Sequence, residues 1–119
     1  MRKLHKKIFE MFQIAAKRAA KNRDRRTFFV GALGIRRDGT MVMAWNGSSK
    51  EPNRVAHAEF RLASKLDQGA VVYVARIKVG DWSLGLAKPC QACQKILKSK
   101  KVKKVFYSIG PDEYGVIEF

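Results

Sequence analysis

Residues 27–47 read TFFVGALGIRRDGTMVMAWNG. Two runs rich in β-branched, aromatic and other apolar residues, Thr27 to Ile35 and Thr40 to Trp45, flank Arg36-Arg37-Asp38-Gly39. Asp-Gly between such runs is a strong hairpin signal, because tight hairpin turns need positive φ, which glycine adopts without a Cβ clash. The first run is almost wholly apolar. That predicts a central strand covered on both faces, not one with a wet side.

Working outward, the segment before the hairpin is helical in pattern. Leu4, Ile8, Met11, Phe12, Ala15 and Ala19 fall at i, i+4, i+7, i+8, i+11 and i+15, one stripe of a helix that should end near Asn22. Lys3, Lys6, Lys7, Lys17, Arg18 and Lys21 cover much of the rest of its surface. His5 sits among these lysines and has no assigned role.

After the hairpin, NGSSKEPN (46–53) has loop composition. A helix is expected over Val55 to Leu66, closed by Gln68-Gly69. AVVYVARIKV (70–79) is the next strand, and GDWSLGLAKP (80–89) a loop. Pro89 suits the first turn of a helix running from Cys90 to Ser99. KVKKVFYSI (101–109) is another strand, GPDEYG a turn, and GVIEF (115–119) a short final strand. The order α-β-β-α-β-α-β-(β) predicts an α/β fold with a mixed five-stranded sheet covered on both faces by three helices. No repeat, low-complexity tract or linker divides the chain, so residues 1–119 are expected to form one domain.

Composition narrows the class. The chain has 46% hydrophobic and 10% aromatic residues, which is globular. No apolar run approaches the roughly 20 residues that span a bilayer, and charged residues interrupt the N-terminal segment where a secretory signal would need an apolar core. The expectation is a cytoplasmic protein without a membrane partner. Lys and Arg number 25 against 10 for Asp and Glu, a net charge of +15. Such a field attracts phosphates, on a nucleotide or on a nucleic acid, although a basic surface can also be merely solvated. The charge is clustered. Ten of the first 26 residues are Lys or Arg, and KILKSKKVKK (95–104) adds six lysines with no acid. Both groups lie on or beside helices that pack on the sheet, on one face or on two.

Two short stretches carry chemistry. RVAHAEF (54–60) places His57 and Glu59 in one helical segment, and KPCQACQ (88–94) places Cys90 and Cys93 three apart in another. C-x-x-C allows a redox pair or half of a metal site. The redox reading expects the motif just after a first strand, and here it comes late. Helices that follow neighbouring strands can aim their N-termini at one spot on the sheet edge. His57, Cys90 and Cys93 would then offer one nitrogen and two sulfurs, leaving a fourth position open, as in a catalytic zinc site. Helix N-termini also favour thiolates. Glu59 is then close enough to act on a water without ligating the metal.

HAE at 57–59 with PCQAC at 89–93, in this order and element context, resembles the cytidine deaminase-like superfamily, for which H-x-E with P-C-x-x-C is the known signature. The resemblance runs from the first helix to the strand ending near Tyr107. It implies a three-layer α-β-α fold, one Zn²⁺ per chain on His57, Cys90 and Cys93, and hydrolytic loss of an exocyclic amine with Glu59 moving the protons. It further implies that the Ala58 N–H binds the carbonyl oxygen of the base and that the Lys88 carbonyl accepts from its amine. Asn46 matches an asparagine that contacts base or sugar, although Asn46-Gly47 also reads as turn chemistry. Trp82 and Tyr107 lie in or beside loops that should rim the pocket. Trp82 can equally cap the core.

The resemblance leaves the substrate open. YSIGPDEYGVIEF (107–119) fits the terminal hairpin of free-nucleoside deaminases better than the further helices of relatives that act on polynucleotides. The charge of +15 pulls the other way. The expected substrate is free cytidine or deoxycytidine, or a nucleotide of either. The alternatives are a cytosine or adenine in single-stranded DNA or RNA, and a zinc-stabilised nucleic-acid-binding module without catalysis. A homo-oligomer is also implied, since small members of the superfamily build pockets across subunits.

Overall fold

The computed structural model describes residues 2–3, 6–21, 28–45, 58–78 and 83–119. Its elements are β1 (Arg2–Lys3), α1 (Lys6–Lys21), β2 (Phe28–Ile35), β3 (Met41–Trp45), α2 (Ala58–Ala63), β4 (Val71–Lys78), β5 (Leu84–Gly85), α3 (Gln91–Ser99), β6 (Lys104–Gly110) and β7 (Glu113–Glu118). The sheet runs β1-β7-β6-β4-β2-β3, with β5 added beside β4. It is mixed. β4 and β6 are parallel, and the β2–β3, β2–β4 and β6–β7 pairs are antiparallel. Five strands of ordinary length, two short ones and three helices match the expected architecture.

Alternation along each strand sorts side chains into two cores, because successive residues of a strand point to opposite faces. Ala32, Ala44, Val72, Val74 and Val105 join Ala58 and Leu62 of α2 and Leu97 of α3 in one cluster. Leu33, Tyr73 and Ala75 join Ile8, Phe12, Ala15 and Ala16 of α1 in the other. So α1 covers one face and α2 with α3 the other, giving three layers. The continuous apolar run of β2 follows from this, since residues 31–34 are buried on both faces of the sheet. Gly31 lets α1 lie directly on β2: a Cβ there would collide with the Ala15 carbonyl.

The hairpin turn is as expected. Gly39 has φ +91°, the Gly39 N–H donates to the Arg36 carbonyl at 2.9 Å, and the Asp38 carboxylate accepts the Thr40 N–H at 2.9 Å. That hydrogen bond holds the Asp38 carboxyl below its usual range.

Boundaries differ from the sequence expectation in several places, and four of the differences have a local reason. α2 ends at Ala63, because the next N–H groups turn back three residues: Lys65 donates to Leu62 and Leu66 to Ala63. The part of that helix expected before Ala58 lies outside the described residues. α3 starts at Gln91, with Cys90 as its N-cap in extended conformation, so Pro89 precedes the cap and does not open the first turn. Leu84 and Gly85, expected in a loop, pair with Arg76 and Ile77 as β5. The last strand is β7, which begins two residues before GVIEF and pairs along β6 from Lys104↔Glu118 to Gly110↔Glu113.

The end of α3 is a Schellman cap. The Lys101 N–H donates to the Lys98 carbonyl at 2.9 Å and the Val102 N–H to the Leu97 carbonyl at 3.3 Å, while buried Val102 lies beside buried Leu97 in the core. Lys101 has φ +58°, a conformation usually given to glycine.

Candidate active site

Because β3 and β4 are each antiparallel to β2, they run the same way, and the chain leaves both from one edge of the sheet. α2 follows β3, and α3 follows β4 after the two-residue β5; the two helices pack side by side on the same face. Ala58 at the start of α2 and Ala87, three residues before Cys90, lie in one buried cluster. The topology therefore brings the segment carrying Glu59 and the segment carrying the two cysteines to one region, as the motif reading requires.

The thiols occupy particular positions on α3. Cys90 is the N-cap and is exposed. Cys93 is the third helical residue and is fully buried. N-cap and N3 are the positions a capping box fills with Ser or Thr and with Glu, because side chains there meet the first unbonded N–H groups of the helix. Two sulfurs in that place are near each other and near the first N–H groups of the helix. The turn is fixed from both sides. The Gln94 N–H donates to the Cys90 carbonyl at 2.9 Å, and the Gln94 side-chain Nε2 donates to the Pro89 carbonyl at 2.8 Å.

Glu59 stands in the first turn of α2 and is only 6% exposed. A glutamate is rarely so buried unless it is partnered or has work to do. Among the described residues no three His, Cys, Asp or Glu side chains gather closely enough to hold a metal ion. The remaining donor of the motif, His57, lies outside the described residues. The donor chemistry present fits zinc: two thiols at one helix start, and a buried carboxylate on the adjoining helix.

The segment leading to Cys90 is anchored through Ser108, a buried polar residue of β6. The Ala87 N–H donates to the Ser108 carbonyl at 2.8 Å, and the Ser108 hydroxyl donates to the Gly85 carbonyl at 2.7 Å. Sequence reasoning passed over Ser108. Its signal is a hydroxyl inside an otherwise apolar strand, where an unsatisfied polar group would be costly.

Of the expected substrate contacts, Ala58 is buried beside Glu59, and Lys88 is exposed between buried Ala87 and Pro89. Tyr107 is half-buried on β6, packed on the α2/α3 side of the sheet, with its ring over Gly115 of β7. Asn46 and Trp82 lie outside the described residues.

The family model for the cytidine and deoxycytidylate deaminase zinc-binding region matches residues 3–109. No curated protein matches the chain. Among solved structures, the fold is similar to a cytidine deaminase from Burkholderia pseudomallei, at 21% identity and a TM-score of 0.62, over 92% of this chain and 91% of that one. It is also similar to a cytidine deaminase from Mycobacterium tuberculosis, at 20% identity and a TM-score of 0.54, over 87% and 89%. At such identities the likeness is one of fold. The family match spans most of the chain and includes both motifs, and on that ground the chain belongs to the family of the cytidine and deoxycytidylate deaminase zinc-binding region.

Proposed function

We propose that this chain is a zinc-dependent hydrolase that converts cytosine to uracil in free cytidine or deoxycytidine, or in a nucleotide of either. The burial of Glu59 on a helix packed against the one that opens with Cys90 and Cys93 carries this reading. His57, Cys90 and Cys93 would hold one zinc ion per chain, which would supply a Lewis acid that makes water acidic near neutral pH.

The chain's own residues do the rest. The Glu59 carboxylate accepts a proton from the attacking water and delivers it to the ring nitrogen. It then passes a proton to the departing amine, so that a C–O bond replaces a C–N bond and ammonia leaves. Its burial keeps it away from bulk water and raises the value of each proton contact it makes. The Ala58 N–H binds the carbonyl oxygen of the base, and the Lys88 carbonyl accepts from the amine. Asn46, Trp82 and Tyr107 line the base and sugar.

The antiparallel β6–β7 pair supports a small substrate, since the resemblance associates such a hairpin with free-nucleoside deaminases. No helix among the described residues is long and apolar enough to cross a membrane, and the proposal places the enzyme in the cytoplasm. Phe9 and Ile14 on α1 are exposed apolar side chains, in keeping with assembly into a homo-oligomer. A second reading, deamination of a base within single-stranded nucleic acid, is favoured by the net charge of +15.

An ammonia-release assay separates the readings. It compares cytidine, deoxycytidine, their monophosphates, adenosine and a single-stranded oligonucleotide. Release from a free cytosine compound and not from the oligonucleotide is expected. Release from the oligonucleotide alone would replace the proposal with the second reading, and release from none would leave a zinc-stabilised module.

A further inference from the structure

The two lysine-rich segments do not form one face. α1 lies on one side of the sheet and α3 on the other, and the second group is concentrated in the last turn of α3 and just beyond it. Lys98, Lys100, Lys101 and Lys103 are exposed there, and Lys104 opens β6 with its ammonium 5.6 Å from the centre of the Phe106 ring.

Other parts of the chain bring cations to the same pole. Val71, the first residue of β4, is flanked in the sheet by Ile35 and Lys104, which puts the hairpin arginines beside the start of β6. Arg36 donates from Nε to the Lys65 carbonyl at 2.7 Å. The Arg37 side chain passes Gly69, whose N–H donates to the Lys101 carbonyl at 2.9 Å, and the Lys103 N–H donates to the Ala70 carbonyl at 2.8 Å. Against these cations stand Asp38, Asp67 and Glu118. Asp38 and Asp67 accept backbone N–H groups, from Thr40 and Arg37, and Glu118 faces Lys104 across the β6–β7 ladder.

Lys101 is a second, independent sign. It holds the left-handed position of the cap, where glycine fits without strain, yet the chain carries a long cation. The cap does not require that cation. Exposed Met41 and Phe119 border the same pole, and an aromatic ring such as that of Phe119 next to cations suits a stacked base.

We infer that this pole binds single-stranded nucleic acid, as a partner and not as a substrate. Cys90 and Lys100 are at opposite ends of α3, about 15 Å apart along its axis at about 1.5 Å per residue. A strand held on the lysines is therefore seated away from the cysteines, whatever the substrate of the candidate site. An anionic membrane is the less fitting partner. α3 already buries Cys93 and Leu97 in the core, so it keeps no apolar stripe to enter a bilayer.

The test uses the full chain and a fluorescent oligothymidylate, which carries no amine to lose. Binding is read by anisotropy at several salt concentrations. The triple variant Lys100→Glu, Lys101→Glu, Lys103→Glu should weaken binding by at least about tenfold. It should also lower the salt slope by about 2, since each phosphate that a lysine neutralises adds about 0.7 to that slope. The triple variant Lys6→Glu, Lys7→Glu, Lys17→Glu on α1 should weaken binding far less. Lys101→Gly, which relieves the cap, should bind more weakly while its melting temperature holds or rises. Turnover of free cytidine, if present, should be unchanged in the α3 variants, and an oligocytidylate should be bound and left intact.

Equal weakening in the two triple variants would reduce the effect to overall charge and overturn the inference. So would unaltered binding in the α3 variant, or lysine-dependent binding to phosphatidylserine vesicles without binding to the oligonucleotide. Deamination of oligocytidylate that disappears in the α3 variant would overturn the assignment of a partner and make the strand a substrate.

Discussion

Ser108 on β6 donates its hydroxyl to the Gly85 carbonyl at 2.7 Å and accepts the Arg76 N–H at 3.2 Å, so one buried side chain joins β5, β6 and β4. β5 has only two residues and can contribute few ladder bonds of its own. The segment from Gly85 to the N-cap at Cys90 therefore depends on this hydroxyl for its position. Replacing it by alanine removes both of these hydrogen bonds from a buried position. We expect Ser108→Ala to cost about 1–3 kcal/mol of stability, since each of the two lost hydrogen bonds contributes about 0.5–1.5 kcal/mol. Thermal denaturation would register this as a drop of several degrees. An unchanged melting point would show that water replaces the hydroxyl.

Metal content tests the ligand set. The purified chain should carry one zinc, and Cys90→Ala, Cys93→Ala and His57→Ala should each lose most of it, since three protein ligands leave none to spare. Chelation should also lower the melting temperature, because a metal that binds only the folded state stabilises it by mass action. Full zinc occupancy in any one of the three variants would remove that residue from the site.

Glu59 should separate chemistry from structure. Glu59→Gln preserves size and much of the hydrogen-bonding capacity but cannot carry a proton. The variant should fold, keep its zinc and lose about 10²–10⁴-fold in rate, the span typical of a lost general base. Loss of zinc would make Glu59 a ligand, and wild-type turnover would end its catalytic role.

What the sequence made legible follows from where periodicity reports burial. Ile8, Phe12 and Ala15 are buried along α1 because a stripe at helical spacing has a sheet to face, and the apolar run of β2 announced a strand covered twice. Periodicity has nothing to say about β5, which is too short to show any. It also could not place Cys90 outside the helix proper. Pro89 is compatible with a first turn or with the residue before a cap, and the choice is made by Gln94 bonding back to Cys90 and Pro89. The pairing of motifs was legible as types and order, and the structure adds the parallel run of β3 and β4 that brings Glu59 and the cysteines to one edge. His57, Asn46 and Trp82 lie outside the described residues, so the sequence remains their only witness. The two lysine groups were countable from the sequence, but their separation depends on topology: only the three-layer arrangement sends α1 and α3 to opposite faces.

Tyr73 gives the fold a pH limit. Its ring is 7% exposed in the centre of the α1-side core, stacked on Phe106 with centroids 4.9 Å apart and edge-on to Phe12 at 6.3 Å. Burial raises its phenol above the ordinary value of 10.0 by penalising the charged form. The unfolded chain therefore releases this proton at a lower pH than the folded one. Below pH 10 both states hold it and stability is unaffected. As pH rises through 10 toward the folded value, the unfolded state binds fewer protons, and stability falls by up to about 1.4 kcal/mol per pH unit from this group. Tyr73→Phe removes the titration while keeping the ring and its packing. Melting curves of the two proteins should run parallel from about pH 7 to 9 and diverge near about pH 10.5, with the wild type losing stability faster. If the gap between them stays constant across that range, Tyr73 ionises as readily in the folded protein as in the unfolded chain, and its burial does not set the alkaline limit.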